Sequence, residues 1–174
     1  PAAGTGLSSH ELNQPGTYQM VKDTTIVAQF KLKQCDHPLT NKLFAGHDEI
    51  FFLAWTTTPW TLPSNCALAV GKGINYVQIE THNQYTGKLI SVILAENRVS
   101  AYFKEENKVH EFSGENNAEW KLLSSFKGKE LAGYEYEQLL PYQQPETGDA
   151  FKVIIGDFVS TEDGTGIVHI APSF

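Results

Sequence analysis

Four threonines lie close together in the segment 55–65, which reads W-T-T-T-P-W-T-L-P-S-N. Threonine hydroxyls both donate and accept hydrogen bonds, and the two tryptophans of the segment offer large flat surfaces. The segment follows the apolar run 50–54 directly and contains two prolines. This combination predicts a buried strand that delivers polar and aromatic side chains to a sharp turn, which is a common way to build a recognition site on a rigid base.

A second segment whose residues could take part in chemistry is 164–172, which reads G-T-G-I-V-H-I-A-P. Its histidine, His169, belongs to a side chain type that changes charge near neutral pH. The glycines on its N-terminal side would let another group approach the backbone closely. A single histidine on a strand is usually a hydrogen-bonded core residue, so this segment alone leaves a structural and a functional interpretation open.

Taken together, the two segments resemble the editing domain of isoleucyl-tRNA synthetases. The first is similar to the threonine-rich motif of that family over its whole length, and the second to its G-T-G-x-V-H-x-A-P segment, in the same order. Editing domains of valyl- and leucyl-tRNA synthetases usually carry T-T-R-P at the first position, so Thr58-Pro59-Trp60 favours the isoleucyl branch. The resemblance spans essentially the whole chain and is weakest at its start and middle.

The resemblance implies a set of site residues. It assigns catalytic roles to Thr57, Thr58 and His169, and substrate binding to Trp55, Thr56, Trp60, Asn65, Gly164, Gly166 and His169. The threonine hydroxyls would contact the terminal adenosine of a tRNA or the carbonyl of its aminoacyl ester. The rigid imidazole would block a longer amino-acid side chain.

Five of these residues carry structural alternatives. Thr56 and Thr58 share one face of an extended segment and Thr57 the other, so they suit a plain strand, with Thr58 as N-cap of a helix that begins at Pro59. Trp55 ends a buried strand and suits the core, which leaves Trp60 as the better pocket residue. Asn65 would form a turn, bond the substrate or brace the threonine segment.

The implied function is hydrolysis of valine mischarged on isoleucine tRNA, with clearance of valyl-adenylate as a related role. An apolar pocket gains only about 1–3 kcal/mol from the methylene that separates the two amino acids, a limit for which isoleucyl-tRNA synthetase is itself the standard example. The sequence shows neither a nucleophilic triad nor metal-binding spacing, so we expect an oriented water, no metal and no other cofactor. The expected partners are the 3′-terminal adenosine of tRNA(Ile) carrying valine, valyl-adenylate and the remainder of the synthetase chain.

Two alternatives stay open: an editing domain of the valyl or leucyl type, and a non-catalytic β-barrel module that binds a nucleotide or an RNA end. The family also has a critical aspartate shortly after its histidine, and the matching position falls beyond Phe174. We therefore expect the chain alone to hydrolyse poorly. The HIGH and KMSKS signatures of the ATP-binding parent enzyme are absent, so amino-acid activation is not expected of this chain.

Composition bounds these interpretations. With 174 residues, of which 41% are hydrophobic, the chain fits one domain with a sizeable core. Its net charge of −7 argues against a wide nucleic-acid footprint but is compatible with a site that grips only a strand end. No signal peptide or membrane-length apolar run is evident, and Cys35 and Cys66 have no metal-type spacing. We expect a cytoplasmic monomer with free thiols that does not bind membranes.

The local patterns predict many short strands and few helices. Residues 1–17, rich in Gly, Ser, Asn and Pro, are expected to form a linker arm, and 18–174 the editing domain. Strands are predicted at 24–32, 50–56, 67–70, 76–80, 89–94, 120–126, 151–155 and 167–170, and a helix at 95–105. These elements predict a mainly β, α+β fold with a β-barrel core and peripheral helices, which is also the fold that the resemblance implies.

Overall fold

The structure is a computed structural model that describes residues 24–114, 117–142, 145–146 and 148–172. The expected linker arm 1–17 and the first residues of the expected editing domain lie outside this range. The described residues form eight strands in two sheets, with short helices around them. None of these helices has the length and apolar character that crossing a membrane requires.

The larger sheet has five strands in the order β1-β2-β5-β4-β6. These strands are β1 (Ile26–Lys31), β2 (Ile50–Thr56), β4 (Asn75–His82), β5 (Leu89–Ala95) and β6 (Trp120–Lys127). Strands β2 and β5 are parallel, and the other neighbours are antiparallel. Because β2 has a partner on each side, its continuous apolar run fits an internal strand, as the sequence predicts.

The smaller sheet has three strands in the order β7-β3-β8. They are β3 (Ala67–Val70), β7 (Lys152–Ile155) and β8 (Ile167–Ile170). Strand β3 pairs with β8 in an antiparallel register that places Leu68 opposite His169. Since β3 follows the threonine-rich segment in the chain, this pairing brings the end of that segment beside the strand that carries the histidine.

The main core is formed by side chains from both sheets. Its fully buried members include Phe30, Phe52, Leu68, Tyr76, Ile93 and Ile167. A smaller cluster, which includes Leu53, Ile79, Val92, Leu94 and Trp120, packs on the other face of the larger sheet. The expected mainly β class with peripheral helices is confirmed. The described strands form two separate sheets, so they do not close into a barrel and the arrangement is only partly barrel-like.

All helices of the described residues are short. The α-helices are α1 (Thr40–Leu43), α2 (Val99–Tyr102) and α3 (Gly128–Leu131), and 3₁₀ turns occupy Pro59–Ser64, Glu96–Arg98 and Glu105–Asn107. The predicted continuous helix at 95–105 is wrong, because Phe103 and Lys104 are extended. Trp120 explains the break: its ring contacts that of Phe103 at 5.7 Å between centroids, and its indole N–H donates to the carbonyl of Lys104 at 2.8 Å.

Candidate functional site

The threonine-rich segment turns sharply where β2 ends. The side chain of Thr56 is buried, and its Oγ1 accepts a hydrogen bond from the backbone N–H of Thr58 at 3.0 Å. The two hydroxyl oxygens of Thr56 and Thr58 are 3.3 Å apart, whereas Thr57 is exposed. The predicted alternation is confirmed, and a side-chain-to-backbone bond fixes the turn.

The hydroxyl of Thr58 does not cap the helix that follows. The helix Pro59–Ser64 begins where predicted, with Thr58 at its N-cap position, but it is a 3₁₀ helix and the Thr58 side chain makes no capping hydrogen bond. The carbonyl of Thr58 instead accepts both the N–H of Thr61 at 3.0 Å and the hydroxyl of Thr61 at 2.7 Å. The Thr58 hydroxyl therefore lies between two others, at 3.3 Å from that of Thr56 and 3.3 Å from that of Thr61.

His169 meets the threonine-rich segment at Thr61. The distance between His169 Nε2 and Thr61 Oγ1 is 3.0 Å. The single hydroxyl hydrogen of Thr61 is donated to the Thr58 carbonyl, so Thr61 accepts from His169 and Nε2 carries the ring proton. This tautomer is assigned from the hydrogen-bond network.

The other ring nitrogen of His169 then carries a free lone pair. Nδ1 is buried and has no hydrogen-bond partner among the described residues. Burial lowers the pKa of His169 from its ordinary value of 6.5, so the imidazole is neutral at pH 7. The site thus presents a neutral ring with one nitrogen anchored and the other able to accept a hydrogen bond.

Thr61 is the residue that sequence reasoning missed. It belongs to the same motif as Thr58 and follows it by one helical turn, a spacing that places two side chains on one side of a helix. Combined with the predicted helix start at Pro59, that spacing was the available signal. Its contact with His169 depends on how β8 is placed, which the local sequence does not reveal.

The two tryptophans have different surroundings. Trp60, the expected pocket residue, lies on the 3₁₀ turn and is 68% exposed, so it presents a surface to solvent and does not wall an enclosed pocket. Trp55 is half-buried, and its indole packs against the α-carbon of Gly164. Trp60 is therefore the ring that is free to stack on a ligand, while Trp55 joins β2 to the loop before β8.

Asn65 is buried, and other parts of the protein occupy its amide. Its Nδ2 donates to the carbonyls of Ala67 at 2.9 Å and Ile170 at 3.4 Å, and its Oδ1 accepts from the phenol of Tyr136 at 2.7 Å. Burial raises the pKa of Tyr136, so this phenol stays a donor. These contacts match the bracing alternative, because both hydrogens of Nδ2 are already donated to carbonyls of the protein.

Gly164 and Gly166 serve packing and backbone geometry. Both have positive φ, 65° and 74°, which favours glycine. A Cβ added to Gly164 would lie 2.8 Å from Trp55 Cε3, and one added to Gly166 would collide with Ala95. On the side where a Cβ would lie, Trp55 fills the space at Gly164 and Ala95 fills the space at Gly166, so a substrate cannot approach from that side. A substrate contact at their other faces stays a prediction.

A cleft lies elsewhere on the molecule. It has a volume of about 400 Å³, and its lining includes Val27, Leu53, Tyr85, Tyr102 and Phe103. None of the site residues predicted from the sequence lines it. The threonine hydroxyls at the end of β2 are therefore separate from this cleft.

The fold defined by these two sheets is that of the editing domains of leucyl-tRNA synthetases. The crystal structure of GlLeuRS-CP1 matches with a TM-score of 0.60, covering 84% of this chain and 52% of that one at 18% identity. The editing domain of the cytosolic leucyl-tRNA synthetase of P. knowlesi matches with a TM-score of 0.59, covering 87% and 59% at 15% identity.

In sequence, the chain is similar over its whole length to a segment of isoleucine–tRNA ligases. It is 61% identical to that of Cytophaga hutchinsonii and 54% identical to that of Bacteroides fragilis. Each match covers 100% of this chain, which spans about 15% of the length of these curated relatives. No family model matches the chain. The resemblance to the isoleucyl-tRNA synthetase editing domain is confirmed.

Proposed function

We propose that the chain is the proofreading domain that hydrolyses valine mischarged on isoleucine tRNA, and that it also clears valyl-adenylate. The observation that carries the proposal is the 3.0 Å contact between Thr61 Oγ1 and His169 Nε2. It joins two motifs that are far apart in the chain and places a row of hydroxyls beside a neutral imidazole.

The proposed reaction is an ester hydrolysis that needs no covalent intermediate. A water oxygen attacks the carbonyl carbon that links valine to the terminal ribose, and the bond between that carbon and the ribose oxygen breaks. The ribose oxygen takes one of the two protons of the water, the other is released to solvent, and valine leaves as a carboxylate that contains the water oxygen. Thr58, in the row of hydroxyls beside His169, supplies a hydroxyl that orients the water and stabilises the developing charge. The hydroxyl of Thr57, exposed on the opposite side of the segment, would contact the terminal adenosine. The reaction requires neither a metal nor another cofactor.

His169 would provide the selectivity. Its ring is held on β8 and anchored by Thr61, so it cannot easily move aside. If the ring fills the space beyond a valine side chain, the extra methylene of isoleucine would overpack the site, which typically costs about 1–3 kcal/mol. A site of this kind admits valine and excludes isoleucine.

The proposed partners are the 3′-terminal adenosine of tRNA(Ile) and the remainder of the synthetase, acting in the cytoplasm. The exposed indole of Trp60 is a suitable surface for stacking on adenine, an interaction worth roughly 1–3 kcal/mol. The net charge of −7 fits a domain that contacts only the strand end while the rest of the enzyme holds the tRNA body.

The sequence matches favour an editing domain of the isoleucyl type over one of the leucyl or valyl type. The leucyl-tRNA synthetase domains share the fold at 15–18% identity, whereas the isoleucine–tRNA ligases match at 54–61%. Trp60 also stands in the motif where the other two families usually carry a different residue.

The test uses the full-length synthetase that contains this chain. The parent should deacylate Val-tRNA(Ile) and spare Ile-tRNA(Ile). Thr57→Ala and Thr58→Ala should each slow valine hydrolysis about two- to tenfold, the equivalent of one neutral hydrogen bond. Thr86→Ala, at an exposed turn, is the matched control and should keep the parent rate. A parent enzyme that leaves Val-tRNA(Ile) intact, or folded Thr57 and Thr58 variants with full rates, would contradict the proposal.

A further inference from the structure

Arg98 is the only arginine among the 13 basic residues of the chain. It ends the 3₁₀ turn Glu96–Arg98 directly after β5. Its Nε–H donates to the carbonyl of Gly164 at 2.7 Å, and its Nη1–H donates to the carbonyl of Glu162 at 3.0 Å. A guanidinium presents its donors in a fixed planar fork, so it can hold two carbonyls of one loop at once.

The loop 156–166, which joins β7 to β8, is hydrogen-bonded along its second half by residues of β4, of β5 and of the turn that follows β5. Asn97 Nδ2 donates to Thr161 Oγ1 at 2.6 Å, and the backbone N–H of Ala95 donates to the carbonyl of Thr165 at 2.9 Å. The phenol of Tyr76 donates to the carbonyl of Gly166 at 2.6 Å, and burial raises the pKa of Tyr76 to about 12, so it remains a donor.

Between these contacts, Arg98 provides both side-chain bonds to the stretch 162–164. None of the ion pairs formed by the described residues includes Arg98. Its donors therefore go to backbone carbonyls, where a charged donor forms a stronger bond than a neutral one.

The loop connects the two halves of the candidate site. Gly164 packs on the indole of Trp55, the residue before Thr56 at the end of β2. Gly166 is the residue directly before β8, which carries His169. A displacement of the loop at Gly164 would therefore change the spacing between the threonine-rich segment and the imidazole.

We infer that Arg98 is a positioning residue for the site. Its two hydrogen bonds to the loop hold Gly164 against Trp55 and so fix the distance between the threonine hydroxyls and His169. Its effect on hydrolysis rests on the proposed function, whereas its effect on the loop does not. A lysine offers a single ammonium on a flexible stem, so it replaces the fork only in part.

The first arm of the test measures amide hydrogen exchange in the 174-residue chain. Arg98→Ala should speed exchange in the loop 161–166 by about tenfold or more, and Arg98→Lys by less, because the loop opens more often once its bonds are lost. Lys104→Ala removes an exposed cation and should leave the loop unchanged. Millimolar methylguanidinium should slow the exchange of Arg98→Ala and not that of the parent. Unchanged loop exchange in Arg98→Ala would overturn the inference.

The second arm measures Val-tRNA(Ile) hydrolysis by the full-length enzyme. Arg98→Ala should lower kcat about tenfold or more with KM changed less than about twofold, because the tRNA contacts remain while the reacting geometry is lost. The kcat of Arg98→Lys should lie between those of the parent and of Arg98→Ala, and methylguanidinium should restore part of the kcat of Arg98→Ala. If Arg98→Ala unfolds, the graded effect of Arg98→Lys decides the same question.

The two arms separate the inference from the proposed function. A parent enzyme that does not hydrolyse Val-tRNA(Ile) would contradict the proposed function, and loop exchange would still decide whether Arg98 holds the loop. An active parent whose Arg98→Ala variant has a loosened loop but an unchanged kcat would overturn the positioning role and leave the proposed function standing.

Discussion

His169 Nε2 and Thr61 Oγ1 lie 3.0 Å apart, and through this contact the strand β8 and the turn after β2 become one site. Because Thr61 gives its only hydroxyl hydrogen to the carbonyl of Thr58, the contact requires a proton on Nε2. The threonine-rich turn therefore sets both the position and the tautomer of the histidine.

The first prediction concerns Thr61. Thr61→Val keeps the shape of the side chain but removes the hydroxyl, so Nε2 loses its acceptor and the fixed tautomer. Val-tRNA(Ile) hydrolysis should fall about two- to tenfold, and Thr61→Ser should restore it. Nitrogen-15 NMR of the His169 ring should show mainly the Nε2–H form in the parent and a mixture in Thr61→Val. An unchanged tautomer in Thr61→Val would show that this contact does not control the ring.

The second prediction concerns pH. Burial lowers the pKa of His169 below its ordinary value of 6.5. Between the lowered pKa and pH 6.5, the imidazole is therefore protonated in the unfolded chain and neutral in the folded chain. The stability that depends on neutral His169 should be complete above pH 6.5 and fall as the pH drops from 6.5 to the lowered pKa.

Urea unfolding at a series of pH values checks this prediction, with His169→Gln as a control that does not titrate. The difference in unfolding free energy between parent and variant should be constant above pH 6.5 and shift against the parent below it. A difference that shifts in favour of the parent on acidification would mean that the folded state prefers the imidazolium.

The strands could be predicted where the local pattern agrees with the tertiary environment. Strand β2 begins at Ile50 and ends at Thr56, as expected from its apolar run. The predicted helix at 95–105 failed because local helix propensity was overridden by Trp120, which lies on a distant strand and holds Phe103 and Lys104 extended.

The site could be predicted in its composition but only partly in its geometry. The motifs contain Thr58 and His169, but Thr61 becomes a neighbour of the histidine only when β8 pairs with β3. The glycines show the same limit: their contacts with Trp55 and Ala95, which are distant in the chain, come from non-local packing. The local sequence shows that a glycine is present, but it does not show which distant side chain packs against that glycine.

The third prediction separates these two reasons for glycine at Gly164. Gly87 has a similar φ of 69° with open space where a Cβ would lie, so Gly87→Ala reports the backbone cost alone, about 1–2 kcal/mol. Gly164→Ala adds a clash with Trp55 and should cost about 1–3 kcal/mol more in urea unfolding. Equal losses of stability in the two variants would show that Trp55 moves aside freely.

The most direct test of the account is the selectivity of His169→Ala in the full-length synthetase. The measurement is the ratio of the deacylation rates of Ile-tRNA(Ile) and Val-tRNA(Ile), made on a variant that remains folded. If the anchored imidazole excludes isoleucine, the variant should deacylate Ile-tRNA(Ile), which the parent spares, and the ratio should rise even if valine hydrolysis also falls. A folded His169→Ala enzyme that still spares Ile-tRNA(Ile) would contradict the assignment of selectivity to this residue.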